Sequence, residues 1–217
     1  MQQTKDGVWV ASHDSNLLMT AGIDENIFDM DAAQVTSTVV RQHGHSDTIP
    51  TMATLVTKAR ELGVTLLIEI KVTGHEHPGY VANFLHVLDG LGATDHEIYH
   101  SLDPDAVAQL KKLRPELRVG LTIAMSAGGL PGGPEDFYVI EQGSFTQEFL
   151  DEAHVHGKPV YVWTVNDDSR IRELLRMHVD GIVTDFTARA VSFRDEIASR
   201  PQPEFAVEDA LRGPLFP

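Results

Sequence analysis

Val64-Thr65-Leu66-Leu67-Ile68-Glu69-Ile70-Lys71 is a mostly apolar run rich in branched residues, broken near its end by a carboxylate and an ammonium two places apart. An almost continuous apolar run of this length reads as a strand of a parallel sheet, buried on both faces. The residues before it, Thr51 to Leu62, carry Met52, Leu55, Val56, Ala59 and Leu62 as a helical stripe that Gly63 closes. The same helix-then-strand unit recurs downstream. Helices are predicted at 79–91, 105–114, 146–156, 169–178 and 187–200. Strands are predicted at 97–102, 117–124, 137–140, 159–165 and 180–184. Asp103-Pro104 supplies an N-cap followed by proline at the first helical position, and Asp167 or Asp168 caps the helix at 169–178. Strands alternating with helices of 10–15 residues mean βα units and a parallel sheet.

Upstream, Lys5-Asp6-Gly7 is a turn signal and Val8 to Ser12 reads as the second arm of a hairpin. Residues 16–47 show weak periodicity and many acidic and polar residues, so an irregular insertion is expected there, with one short helix near Asp31. The last stretch, 201–217, holds four of the eleven prolines and no apolar periodicity, and is expected to be a disordered tail. One domain is expected over 1–200. Its six parallel strands suit either an open doubly wound sheet or most of a (β/α)8 barrel. No G-x-G-x-x-G follows a strand and no phosphate-binding G-x-x-x-x-G-K-[ST] occurs, so neither nucleotide signature is present.

The chain has 217 residues and a formal charge of −15, an unfavourable balance for nucleic acid or an anionic membrane surface. It contains no cysteine, which removes thiol nucleophiles, disulfides and Cys-ligated zinc. No run of apolar residues is long enough to span a bilayer.

Polar residues at the carboxyl ends of parallel strands converge on one mouth, and three features stand there. Glu69 and Lys71, at i and i+2 of one strand, share a face, so they form either an internal ion pair or a ligand site. Ser12-His13-Asp14 ends the hairpin arm, and histidine is a ready general acid or base. Val160 to Asp167 runs through Tyr161, Trp163 and Thr164 to Asn166, with Trp163 on the barrel wall as core or as a platform for substrate. The histidine pairs His43/His45, His75/His77 and His154/His156 lack a carboxylate framework or an H-x-x-x-H spacing and do not read as metal sites.

In order and spacing these segments resemble the glycerophosphodiester phosphodiesterase family. Gln3-Thr4-Lys5-Asp6-Gly7-Val8-Trp9-Val10-Ala11-Ser12-His13-Asp14 resembles its Q-x-T-K-D-G-x-x-V-x-x-H-D hairpin. Thr48-Ile49-Pro50-Thr51 resembles its K-I-P-T helix start, Leu67-Ile68-Glu69-Ile70-Lys71 its L-I-E-I-K strand, and His100-Ser101-Leu102-Asp103 its Q-S-F-D. Val162-Trp163-Thr164-Val165-Asn166 and Asp180-Gly181-Ile182-Val183-Thr184-Asp185 are similar to V-W-T-V-N and D-G-I-I-T-D. The short insertion looks most like the branch whose members often carry a membrane-spanning region.

The resemblance implies a (β/α)8 TIM barrel and metal-assisted hydrolysis of a glycerophosphodiester, a small-molecule substrate of lipid and glycerol metabolism, to glycerol 3-phosphate and an alcohol. It implies His13 as a catalytic histidine, Glu69 as a metal carboxylate, Lys71 as a catalytic and phosphate-binding residue and Trp163 as a substrate contact. Oxygen ligands suggest a hard divalent cation, Mg²⁺ or Ca²⁺. The family's H-R-G strand and its E-x-D before the hairpin have no counterpart here. The expectation is therefore a barrel lacking its first strand–helix unit and most of its second strand, of very low activity. Its exposed sheet edges would self-associate. The alternatives are a non-catalytic or partner-completed barrel fragment, and a related phospholipase-D-like barrel phosphodiesterase.

Overall fold

The computed structural model describes residues 1–42, 44–92, 97–126 and 128–199. The expected disordered tail, Arg200 and His43 lie outside the described residues. The chain falls into two compact units, Met1–Ala124 with Leu130–Val139, and Met125–Gly129 with Ile140 onward.

The first unit opens with β1 (Gln2–Gln3) and β2 (Trp9–Val10), an antiparallel pair as the turn signal predicts. Gly7 sits at φ +83°, a left-handed conformation that glycine enters without strain, and its N–H donates to the Thr4 carbonyl. Buried Trp9 donates through Nε1 to Asn83 Oδ1 at 2.9 Å and meets Phe84 edge-on at 5.2 Å, which docks the hairpin on a helix of the unit.

The insertion is more regular than its sequence suggests. It forms α1 (Leu18–Ala21), a 3-10 turn (Ile27–Asp29), α2 (Ala32–Ser37), and an antiparallel hairpin of β3 (Val39–Gln42) and β4 (His45–Thr48). The α2 helix is the one expected near Asp31, with Gln34 reaching back to the Asp31 N–H at 3.0 Å. The hairpin escapes a reading by periodicity because its strands are almost wholly exposed and so carry no alternation. What orders the segment is a small core of Val10, Leu17, Ile27, Met30, Val35 and Ile49, drawn from irregular spacings.

Then the βα units follow: α3 (Met52–Leu62), β5 (Leu67–Glu69), α4 (Tyr80–Gly90), β6 (Ile98–Ser101), α5 (Pro104–Leu113) and β7 (Val119–Ile123). Asp103 accepts the Ala106 N–H, so the predicted cap forms, and Thr51 caps α3 by accepting the Thr54 N–H. Strands β5, β6 and β7 are parallel neighbours, with Glu69 opposite His100 and His100 opposite Gly120. The strand predicted at 64–70 is shorter than expected and only partly buried at Leu67 and Glu69, because β5 ends this sheet. Behind it Val56, Phe84, Leu88, Tyr99, Val107, Leu110 and Val119 make the core.

The strand β8 (Phe137–Glu141) is shared between the units. The second unit continues with α6 (Gln147–Val155), β9 (Val160–Trp163), α7 (Asp168–Arg176), β10 (Gly181–Ile182) and α8 (Thr187–Ser199). Strands β9 and β10 run parallel, and Asp167, not Asp168, caps α7 by accepting the Ser169 and Arg170 N–H groups. Phe149, Leu150, Val162, Ile171 and Leu174 form its core. Among the described residues no helix is long and apolar enough to cross a membrane.

Candidate active site

Strand periodicity puts Glu69 and Lys71 on one face of β5, and the structure joins them: Lys71 Nζ lies 2.8 Å from Glu69 Oε2, with the side chains 17% and 20% exposed. A pair this sheltered is neither fully desolvated nor a screened surface contact, so both charges keep their field while staying reachable.

His13 arrives from the other end of the same unit. The loop after β2 is pinned by the Ala11 N–H on the Pro50 carbonyl at 2.9 Å and by the buried Gln2 amide on the His13 carbonyl at 3.0 Å. The ring itself is exposed, and its Nδ1 lies 2.7 Å from Asp14 Oδ1. Ser12, His13, Glu69 and Lys71 line a single pocket of about 300 Å³, together with Leu55 and the apolar start of β5. Thus three of the four residues singled out from sequence meet in one cavity. The fourth, Trp163, lies in the second unit on β9, half-buried, where its carbonyl accepts the Gln142 N–H at 2.8 Å.

Met1 also lines the pocket: its amino group donates to the Glu69 carbonyl and its own carbonyl accepts the Lys71 N–H at 3.0 Å. Burial pushes that amine down to about 5, with Lys71 adding to the shift and Glu69 opposing it. Among the described residues Lys71 is the one Lys or Arg side chain that lines the pocket.

Sequence reading passed over His100 as a group of its own, although it is in phase with Glu69 across the ladder. It is 7% exposed, and its Nδ1 lies 2.7 Å from Thr122 Oγ1. Burial pushes it down to about 4, against a smaller opposing pull from Glu69. A histidine held neutral in the native state binds fewer protons than in the unfolded chain. Stability from this group is therefore undiminished above its ordinary pKa of 6.5 and falls as the pH drops toward 4. The loss is on the order of 3 kcal/mol. Urea denaturation at pH 7, 5.5 and 4.5 checks it: His100→Gln should lose less stability on acidification than the wild type, and parallel curves refute the assignment.

Three other histidines find different partners. His75 stacks on Phe28 at 3.9 Å, His77 Nε2 lies 2.9 Å from the Lys5 carbonyl, and His154 Nε2 lies 2.8 Å from Asp180 Oδ2. Among the described residues no group of three His, Asp or Glu is placed to hold a metal ion. Glu69 is the pocket's only carboxylate side chain among those residues, and it is engaged by Lys71. A hard divalent ion takes about six or more oxygens. The described residues do not fit such an ion.

The model of the Glycerophosphoryl diester phosphodiesterase family matches residues 1–189. A glycerophosphodiester phosphodiesterase of Bacillus altitudinis is 24% identical, the match covering 91% of this chain and 85% of that one. A glycerophosphodiester phosphodiesterase of Parabacteroides distasonis superposes with a TM-score of 0.77 at 20% identity, over 91% of this chain and 82% of that one. An Oleispira antarctica phosphodiesterase, solved in complex with the product sn-glycerol-3-phosphate, superposes with a TM-score of 0.74 at 21% identity, over 89% and 82%. The likeness to these structures assigns a TIM-barrel-like α/β fold. Matched over most of its length, this chain belongs to the glycerophosphoryl diester phosphodiesterase family, a family of phosphoric diester hydrolases.

Proposed function

We propose that this chain binds glycerophosphodiesters at the pocket of Ser12, His13, Glu69 and Lys71 and hydrolyses them to glycerol 3-phosphate and an alcohol. The observation that carries the reading is the meeting of His13 with the Glu69–Lys71 pair in one cavity of a chain that the family model covers. The product held by the similar Oleispira antarctica enzyme supports the same substrate class.

The roles follow from charge and position. A phosphodiester is an anion approaching a chain of formal charge −15, so the Lys71 ammonium supplies the attraction and offsets charge on the non-bridging oxygens. Glu69 holds that ammonium at the strand end. Water forms the new bond to phosphorus as the P–O bond to the alcohol breaks; its proton passes to solvent, and His13, with one ring nitrogen engaged by Asp14, hands a proton from the other to the leaving alkoxide. No step is assigned to Mg²⁺ or Ca²⁺, since the described donor set does not fit one. With Lys71 as the one Lys or Arg side chain at the pocket among the described residues, turnover is slow. The test is incubation of the chain with glycerophosphocholine, with Mg²⁺ or Ca²⁺ added in parallel, and enzymatic detection of glycerol 3-phosphate. Product formed in proportion to protein supports the proposal; no product in any arm overturns it.

Self-association belongs to the same proposal. Among the described residues β5 has β6 on one side and only the Met1 backbone on the other, and an open parallel edge is a template for another strand. Mutual repulsion of chains at −15 opposes pairing, so association should grow with protein concentration and with added salt. Light scattering reads it directly, and a mass that stays monomeric under both changes refutes it.

A further inference from the structure

The strand register builds a polar row beside Glu69 that the proposed reaction leaves unused. Glu69, His100 and Gly120 are opposite one another across β5, β6 and β7, and residues paired in this way direct their side chains to one face. Lys71 and Thr122, two places further along their strands, share that face. His100 does not stay level with its row. Its Nδ1 reaches Thr122 Oγ1 at 2.7 Å, so the ring leans toward the carboxyl ends of the strands, where Lys71 stands. Its backbone is fixed as well: the Ile70 N–H donates to its carbonyl at 2.9 Å, and Ser101 Oγ donates to the Ile70 carbonyl at 2.7 Å. Beyond it the Phe137 ring fills the space over Gly120, where an added Cβ would stand only 2.2 Å from a ring carbon.

A polar ring this buried is costly unless its hydrogen-bonding atoms are used. Thr122 uses Nδ1, and among the described residues no hydrogen bond takes Nε2, which is not one of the buried side-chain atoms left without a partner and is therefore open to solvent and to a ligand. We propose that His100 is a specificity-determining residue whose Nε2 hydrogen-bonds a hydroxyl of the substrate's glycerol moiety. The inference rests on the glycerophosphodiester reading above. A hydroxyl is the group that fits: it both donates and accepts, and so suits either tautomer of the ring. A phosphoryl oxygen only accepts, and Lys71 is on hand to take it. An apolar group would leave Nε2 unpaired. A site built to bond a substrate hydroxyl discriminates strongly against the analogue that lacks it.

The experiment measures kcat/KM for glycerophosphocholine and for its propane-1,2-diol and propane-1,3-diol analogues, each missing one hydroxyl. The proteins are the wild type, His100→Leu, His100→Gln and Thr122→Val. The wild type should prefer glycerophosphocholine over one analogue by about 10- to 100-fold. His100→Leu should erase that preference by slowing glycerophosphocholine alone, and His100→Gln, which keeps a hydrogen-bonding group, should recover part of it. Equal loss on all three substrates, or none on any, overturns the inference while leaving the hydrolase reading intact. Calorimetry with sn-glycerol 3-phosphate and the two diol phosphates separates the opposite case. Binding that prefers the glycerol ester in the wild type and not in His100→Leu, without turnover, sinks the hydrolase reading and keeps this one. Binding of none of the three sinks both.

Discussion

Replacing His13 with alanine should lower kcat for glycerophosphocholine by about 10²–10⁴-fold, the usual worth of a positioned general acid. The side chain is exposed and its only side-chain partner among the described residues is the neighbouring Asp14, so the substitution removes chemistry with little effect on the fold. The urea midpoint should therefore stay where it is. A second substrate isolates the role. Choline leaves as an alkoxide that must be protonated, whereas nitrophenolate departs as a stable anion. The same variant should consequently hydrolyse glycerophospho-p-nitrophenol at close to the wild-type rate. If both substrates suffer alike, His13 does something other than protonate the leaving group.

Replacing Lys71 with methionine should lower kcat/KM by about 10²–10³-fold on either substrate, because the lost interaction is with the phosphoryl group and not the leaving group. Two effects add. The cation that offsets phosphoryl charge disappears, and the Glu69 carboxylate, only 20% exposed, is left facing an anion of its own sign. The unpaired carboxylate also destabilises the native state, by about 1–3 kcal/mol given its residual exposure. The double variant Glu69→Gln/Lys71→Met separates the two consequences. It should regain the stability and not the activity, since the amide relieves the uncompensated charge but supplies no cation. A Lys71→Met protein within a few-fold of the wild type on both substrates would remove Lys71 from the site.

The contrast between the two variants reflects how differently their residues could be read. Glu69 and Lys71 sit two apart on one predicted strand, so their shared face follows from local geometry alone, and the structure decided that they form an ion pair. The caps at Thr51, Asp103, Thr146 and Asp167 are equally local, each side chain accepting an N–H two or three residues on. His13 carried no such signal. One of eleven histidines, it was marked by its place at the end of the hairpin arm, and its catalytic role came only from the hairpin's resemblance to a family motif. The insertion was the opposite case. Its hairpin strands, Val39–Gln42 and His45–Thr48, are exposed except at half-buried Val40 and so have no apolar alternation to betray them.

By itself the amino-acid sequence determined the order of helices and strands, the side of β5 on which a carboxylate and an ammonium stand, and a balance of charge that demands a fixed cation wherever an anion is to bind. Only the tertiary structure decided that His13 shares a cavity with them and that His100 stands in the same row as Glu69 with its ring bonded to Thr122. Periodicity and capping act over a few residues and are visible in the chain. The register of β5 against β6 and β7, and the tie from Gln2 to the His13 loop, join residues far apart in sequence, and they exist only once the core has packed.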